Sequence, residues 1–191
     1  MLDKINQFFE SINYSRIELY CEFALQHEFA IFLKKNFQDL TVRLEYPTSR
    51  IFNPLPQLLK KEIDLYVTNK KEEKFVIQIK MPKNDSGIAN QMYEAVRDIK
   101  FLEQMKHNHM NGCFAILMTS NSSFRQAPEA NAGIYQLFNG EQINIQSLRQ
   151  IEMPTILHNK EDVRLSRNYN TLWNNYVDVS NINWDYYVLE I

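Results

Sequence analysis

The chain of 191 residues contains only four glycines, two cysteines and no long apolar run. Four scattered glycines exclude a Walker loop and a dinucleotide fingerprint, because both motifs need closely spaced glycines around phosphate. Two cysteines make no disulfide framework, which is typical of a reducing compartment. No stretch approaches the roughly 18 apolar residues of a membrane span, and no basic-then-apolar secretion signal opens the sequence. We therefore expect a cytoplasmic protein with no membrane association.

An excess of charge of one sign is also missing, since the formal net charge is −2. There is accordingly no global basic field to attract nucleic acid, and only a local basic patch could do so. Apolar residues make up 45% of the chain and charged residues 23%, which is ordinary for a folded protein. The length allows one substantial core, so we expect a single domain over residues 1–191.

Two alternating segments near the middle of the chain predict a β-hairpin. Residues 62–67 and 75–81 alternate between apolar and polar side chains, and the polar residues 69–74 join them. Folding about the middle of that connection places Asp64 opposite Gln78 and Glu62 opposite Lys80. The apolar sets restrict this register, because a one-residue slip would reverse the faces. They comprise Ile63, Leu65 and Val67 on one strand, and Phe75, Ile77, Ile79 and Met81 on the other. The hairpin therefore predicts a polar cluster of two carboxylates, an amide and an ammonium.

A long helix is expected before these strands, at roughly residues 15–36. Its predicted apolar stripe consists of Ile17, Tyr20, Cys21, Ala24, Leu25, Ile31 and Phe32. At about 100° per residue, Glu28 falls near the middle of this stripe, and Glu18 and Glu22 fall at its edge. A carboxylate on an apolar face needs a partner or a metal. Both interpretations stay open for Glu28: an ion pair with Arg43, or a place in a functional site.

The other patterned segments complete a mixed α/β prediction. Residues 3–12 predict a short helix, residues 40–46 a strand, and residues 86–106 a helix that begins at a Ser86 cap. Residues 113–119 are almost all apolar, which predicts a strand buried on both faces that returns parallel to the hairpin. Residues 134–145 predict a short hairpin turned at Asn139-Gly140, and residues 185–191 a final strand.

The combination of these residues resembles the PD-(D/E)XK nuclease superfamily. The matching order is a helix with Glu28, then Asp64, thirteen residues, Gln78-Ile79-Lys80, a helix and a buried strand. The resemblance covers residues 15–120 and implies a restriction-endonuclease-like core: a helix, a three-stranded antiparallel meander, a helix and a parallel strand. Residues 121–191 would then form a β-rich C-terminal extension packed on that core.

The resemblance implies an endonuclease that hydrolyses DNA phosphodiester bonds with Mg²⁺ or Mn²⁺, of restriction or phage-defence type. Hard divalent cations take oxygen ligands, which Asp64, Gln78, the Ile79 carbonyl and Glu28 would supply. Lys80 would orient or help to deprotonate the attacking water and offset charge on the phosphate. Cutting both strands ordinarily calls for two active sites, so a homodimer is a possible assembly, although no residue of the sequence indicates one.

The sequence departs from the superfamily pattern at two positions. Ile63 stands where the family name has proline, and Gln78 stands where an acidic residue is usual. An amide keeps an oxygen ligand but removes one negative charge, so metal affinity should fall. Glu62, on the same strand face as Asp64, could compensate for the lost charge, and the resemblance implies that Gln91 contacts substrate or a metal-bound water. Lys60, Lys61 and Lys83 flank the cluster and are candidate phosphate contacts, with solvated loop charge as the alternative role.

A second function stays open beside the enzyme. The chain could be a catalytically inactive nuclease-fold module that binds nucleic acid or a protein partner, with Gln78 marking the loss of activity. In that case Asp64 and Lys80 would form a cross-strand surface ion pair, which contributes less than about 1 kcal/mol. Gln91 would then pack against the sheet.

Overall fold

The computed structural model describes residues 1–15, 17–82, 87–125, 134–138, 142–143, 157–170 and 172–191. The helices are α1 (Leu2–Ser15), α2 (Glu22–Asn36) and α3 (Ile88–His107). The strands are β1 (Leu40–Pro47), β2 (Glu62–Asn69), β3 (Lys74–Lys80), β4 (Gly112–Thr119), β5 (Gln142–Ile143), β6 (Tyr169–Asn170), β7 (Asn174–Val177) and β8 (Asn183–Glu190). Within these ranges, none of the helices has the length and apolar character needed to cross a membrane.

Six strands form one mostly antiparallel sheet in the order β1-β2-β3-β4-β8-β7, and β5 pairs with β6 separately. The first three strands make the predicted antiparallel meander, and β4 pairs with β3 in parallel after α3. Strand β8 lies antiparallel to β4. The predicted final strand is therefore confirmed, and it extends the same sheet as the preceding elements.

Apolar side chains cover both faces of the large sheet. On one face, Leu65, Ile77 and Phe114 pack with the buried residues of α1 and α2. On the other face, Val76 and Cys113 pack with α3 and with residues from the C-terminal third. Strand β4 is buried along its whole length, as its nearly unbroken apolar sequence predicted.

The predicted helix over residues 15–36 is wrong in its start and in the phase of its apolar stripe. Helix α2 begins only at Glu22, where the Cys21 sulfur accepts a hydrogen bond from the Ala24 amide at 3.4 Å. Its buried residues are Leu25, Gln26, Phe29, Ala30 and Leu33, whereas Ile31 is 45% exposed. The stripe was misplaced because Ile17, Tyr20 and Cys21 precede the helix.

The predicted hairpin over residues 134–145 is also wrong. Ile134–Phe138 forms a 3₁₀ helix, and Gln142–Ile143 pairs with Tyr169–Asn170. Ile134, Leu137 and Phe138 are all buried, and their spacing of three and four residues is helical rather than alternating. The predicted turn at residues 139–140 and the predicted cap at residue 86 lie outside the described residues.

A buried glutamate in α3 binds the segment 157–170 to this helix. Glu103 accepts hydrogen bonds from the Ser166 amide at 2.7 Å, the Ser166 hydroxyl at 2.6 Å and the Tyr169 hydroxyl at 3.0 Å. Lys100 Nζ lies 2.9 Å from its other oxygen. Burial alone would raise the pKa of Glu103, but the hydrogen bonds from Ser166, Lys100 and Tyr169 outweigh burial and lower it. Glu103 therefore has a structural role.

Candidate active site

The predicted hairpin register is confirmed, and the predicted polar residues lie where the pairing of β2 with β3 ends. Leu65 pairs with Ile77, the last pair of the ladder on this side, so Asp64 comes opposite Gln78. One predicted face is wrong: Ile63 packs with the cluster on the α3 side, whereas Leu65 lies in the other cluster. Strand β2 stays paired with β1 at Ile63, but the ladder skips the pair of Glu45 with Asp64, and Glu45 has a φ of 45°. The change of face occurs at this interruption of the regular alternation.

Asp64 is buried at this point and bonds to the neighbouring strand. Asp64 is 7% exposed, and its Oδ2 accepts a hydrogen bond from the Ile79 amide at 2.6 Å. Burial raises the pKa of Asp64 from its ordinary 3.8 to about 7, against the opposing effects of Lys60 and the Ile79 amide. A buried carboxylate of this kind gains from a nearby cation. The alternative of a surface ion pair with Lys80 is therefore wrong.

Gln78 is also buried, and a lysine from the preceding loop covers it. Gln78 is 1% exposed. Gln78 Oε1 accepts a hydrogen bond from Lys60 Nζ at 2.7 Å, and its Nε2 donates to the Glu62 carbonyl at 3.4 Å. The same Lys60 nitrogen donates to Asp98 Oδ1 in α3, also at 2.7 Å. One ammonium thus joins the amide of β3 to a buried carboxylate of α3.

Lys80 lies between two carboxylates. Its Nζ is 3.4 Å from Glu22 Oε1 and 3.7 Å from Asp98 Oδ2, and Glu22 Oε2 accepts a hydrogen bond from the Met81 amide at 3.2 Å. Burial alone would lower the pKa of Lys80, but Asp98, Glu22 and Asp64 outweigh burial and raise it. Lys80 is therefore an ammonium at neutral pH, which favours charge neutralisation over deprotonation of water.

The structure does not bring Glu28 to this cluster, so that expectation is corrected. Glu28 Oε1 lies 3.8 Å from His27 Nδ1, and the Glu28 side chain is 33% exposed. At 100° per residue, Glu28 lies about 130° from the centre of the buried face of α2, whereas Glu22 lies within about 10° of it. Glu22 therefore takes the place predicted for Glu28. The alternative partner, Arg43, lies over the Tyr46 ring at 5.4 Å.

Asp98 is a functional candidate that the sequence analysis missed, and Lys60, expected as a phosphate contact, instead bonds to Gln78 and Asp98. Asp98 is 3% exposed and lies seven residues after Gln91, on the same face of α3. A carboxylate on the apolar face of a helix is a detectable signal, and the same reasoning singled out Glu28 in α2. Lys60 lies in an irregular loop between β1 and β2, and no local pattern indicates where its side chain points.

The outer predicted residues have mixed positions. Glu62 is exposed and contacts Gln78 only through its main-chain carbonyl, so it does not supply the missing charge. Lys61 is exposed, with its carbonyl accepting from Thr48. Gln91 lines a cleft of about 430 Å³ together with Glu22, Lys80 and Met81. Lys83 lies outside the described residues.

The donor chemistry of the cluster fits a hard divalent cation, although no three His, Cys, Asp or Glu side chains among the described residues are grouped as a ready-made metal site. Asp98 Oδ2 is buried and accepts no hydrogen bond from those residues, and Asp64 is a carboxylate in need of positive charge. Asp64, Gln78, Asp98 and the Ile79 carbonyl are the oxygen donors available. In the described arrangement, Lys60 contacts two of these residues.

No protein-family model matches the chain. Searches of curated proteins and of solved structures likewise find no significant match.

Proposed function

We propose that the protein is a metal-dependent nuclease that hydrolyses DNA phosphodiester bonds, of restriction or phage-defence type, with a PD-(D/E)XK-like core. The observation that carries this proposal is convergence. Gln78 and Lys80 from β3 are joined through Lys60 and Asp98, and Lys80 also contacts Glu22 from α2. Asp64 from β2 lies at the end of the same strand ladder, bonds to the Ile79 amide and is influenced by the charges of Lys60, Asp98 and Lys80. The order helix, antiparallel meander, helix and parallel strand supports the same proposal.

The residues of the chain divide the chemistry between binding and charge neutralisation. When bound, Mg²⁺ or Mn²⁺ supplies a water of lowered pKa and a positive charge opposite the phosphate. Asp64 and Gln78 hold the cation through oxygen atoms, and Asp98 provides the second buried carboxylate that Gln78 does not. The Lys80 ammonium, oriented by Glu22, binds a phosphate oxygen and neutralises the charge that develops there.

One observation favours the alternative of a non-catalytic binding module. The Lys60 ammonium already bonds to Gln78 and Asp98 at 2.7 Å each, so an ion-pair network can replace a metal and hold the fold together. A module of this kind would bind DNA or a protein partner and would bind no divalent cation. Calorimetry with Mn²⁺ separates the two functions, because only the enzyme requires an interaction with the metal.

The proposal is tested by nicking and linearisation of supercoiled plasmid DNA in Mg²⁺ or Mn²⁺. The purified protein is expected to cut, Asp64→Asn is expected to abolish cutting, and Lys80→Met is expected to reduce it by about 100-fold or more. Lys71→Met, in the exposed hairpin connection, is the matched control and should cut at the wild-type rate. Metal-dependent cutting that survives both site variants would assign the activity elsewhere and end the proposal. Gln78→Glu should raise cleavage at limiting Mg²⁺, because it restores one negative charge.

A further inference from the structure

The Lys60 ammonium bonds to oxygens of two buried side chains, Gln78 and Asp98, while its own side chain is partly exposed. Gln78 and Asp98 are 1% and 3% exposed, whereas the Lys60 side chain is 26% exposed. The main chain on both sides of Lys60 is anchored. The Leu59 amide donates to Gln104 Oε1 at 2.9 Å, and the Lys61 carbonyl accepts from the Thr48 amide at 2.8 Å. Lys60 can therefore leave its position by side-chain rotation, without movement of the loop.

The carboxylate beneath Lys60 is incompletely satisfied. Asp98 Oδ1 accepts from Lys60 Nζ at 2.7 Å, but Oδ2 is buried and accepts no hydrogen bond from any described residue. Lys80 Nζ lies 3.7 Å from Oδ2, which is beyond hydrogen-bond distance. Burying a carboxylate oxygen without a hydrogen-bond donor is costly. A cation bound between the Asp98 carboxylate and Gln78 Oε1 would satisfy it.

We propose that Gln78 Oε1 and the Asp98 carboxylate form an inner cation site, which Lys60 fills as a tethered cation and which a divalent ion enters only when Lys60 rotates into solvent. This proposal rests on the proposed function only in identifying the divalent ion as the metal that cleavage requires. An ammonium and a hard divalent cation seek the same oxygen donors. Because the two positive charges repel, they do not share the site, and Lys60 sets the metal concentration at which the site fills.

Mn²⁺ binding measured by isothermal titration calorimetry, without DNA, tests this competition. Lys60→Met should bind Mn²⁺ more tightly than the wild type by a factor of about 10 to 100. This range corresponds to the free energy of the charge-assisted hydrogen bonds that Mn²⁺ no longer has to displace. Lys71→Met removes the same charge from an exposed turn and should leave the affinity unchanged. In the Lys60→Met background, adding Asp98→Asn should reverse the gain. Unchanged or weaker Mn²⁺ binding in Lys60→Met would overturn the proposal.

Thermal unfolding separates the proposed competition from a merely structural ion pair. In chelator, Lys60→Met should melt below the wild type, because Asp98 loses its bonded cation. Saturating Mn²⁺ should then raise the melting temperature of Lys60→Met more than that of the wild type. An equal rise in both proteins would assign Lys60 a structural role only. If Lys60→Met folds only in Mn²⁺, the proposal is supported; if it fails to fold even with Mn²⁺, the metal does not replace the ammonium and the proposal is wrong.

The two proposals fail in different ways in these experiments. Tight Mn²⁺ binding by Lys60→Met without DNA cleavage would retain the inner cation site and remove the nuclease assignment. Cleavage by the wild type with no effect of Lys60→Met on Mn²⁺ affinity would retain the nuclease assignment and remove the inner cation site.

Discussion

Replacement of Asp64 by asparagine should make the protein more stable at alkaline pH. Asp64 is 7% exposed, and burial raises its pKa from 3.8 to about 7. The folded-state pKa lies above the unfolded-state value, so protonation of this group favours the fold. Its contribution is complete below pH 3.8 and is lost as the pH rises through about 7.

The size of the effect follows from linkage. One pKa unit corresponds to about 1.4 kcal/mol, so this shift amounts to roughly 4 kcal/mol over the full range, of which about 2–3 kcal/mol is lost between pH 5 and 8.5. Asparagine keeps an oxygen to accept from the Ile79 amide and has no charge to bury. Asp64→Asn should therefore lack this loss of stability and, relative to the wild type, gain about 5–10 °C in melting temperature over that pH range.

The assay is thermal unfolding by circular dichroism between pH 5 and 8.5, with a chelator present to remove divalent cations. Asp39→Asn is the matched control, because Asp39 is exposed in the turn before β1 and its variant should follow the wild-type profile. Parallel profiles for Asp64→Asn and the wild type would refute the argument that the Asp64 carboxylate is buried at a cost.

Three further predictions concern the same cluster and its support. Lys80→Met should reduce plasmid cleavage by about 100-fold or more, whereas Lys80→Arg should retain part of the activity because it keeps the charge; equal rates would contradict the role of the ammonium. Mn²⁺ should raise the wild-type melting temperature more at pH 8 than at pH 5.5, because a protonated Asp64 is a poor ligand; a larger rise at pH 5.5 would place the metal elsewhere. Glu103→Ala should lower the free energy of unfolding in urea by about 3 kcal/mol, because the Ser166 amide and the Tyr169 hydroxyl lose their acceptor. The half-exposed Glu94 is its control, with Glu94→Ala costing less than about 1 kcal/mol.

Local alternation was sufficient to predict the part of the site that lies on the hairpin. The apolar sets of β2 and β3 allow only one register with both faces buried, so the position of Asp64 opposite Gln78 followed from the sequence. The strand β4 was predictable from its nearly unbroken apolar run, and its parallel direction from the helix that connects it to β3.

Residues brought in by helices and loops were harder to predict. The choice of Glu28 instead of Glu22 depended on where α2 begins, and a start set several residues too early rotated the predicted face of the helix. The position of Lys60 depends on how an irregular loop is anchored to α3 and to the segment after β1. Such anchoring depends on tertiary contacts between residues that are distant in the sequence, and periodicity does not predict these contacts.

The most direct test of the central claim is anomalous diffraction from crystals soaked in Mn²⁺. We expect one strong peak bounded by oxygens of Asp64, Gln78 and Asp98, next to the Lys80 ammonium, with the Lys60 side chain rotated away from Gln78. Crystals at saturating Mn²⁺ with no peak at this position, and with Lys60 still bonded to Gln78 and Asp98, would contradict the proposed metal-dependent site.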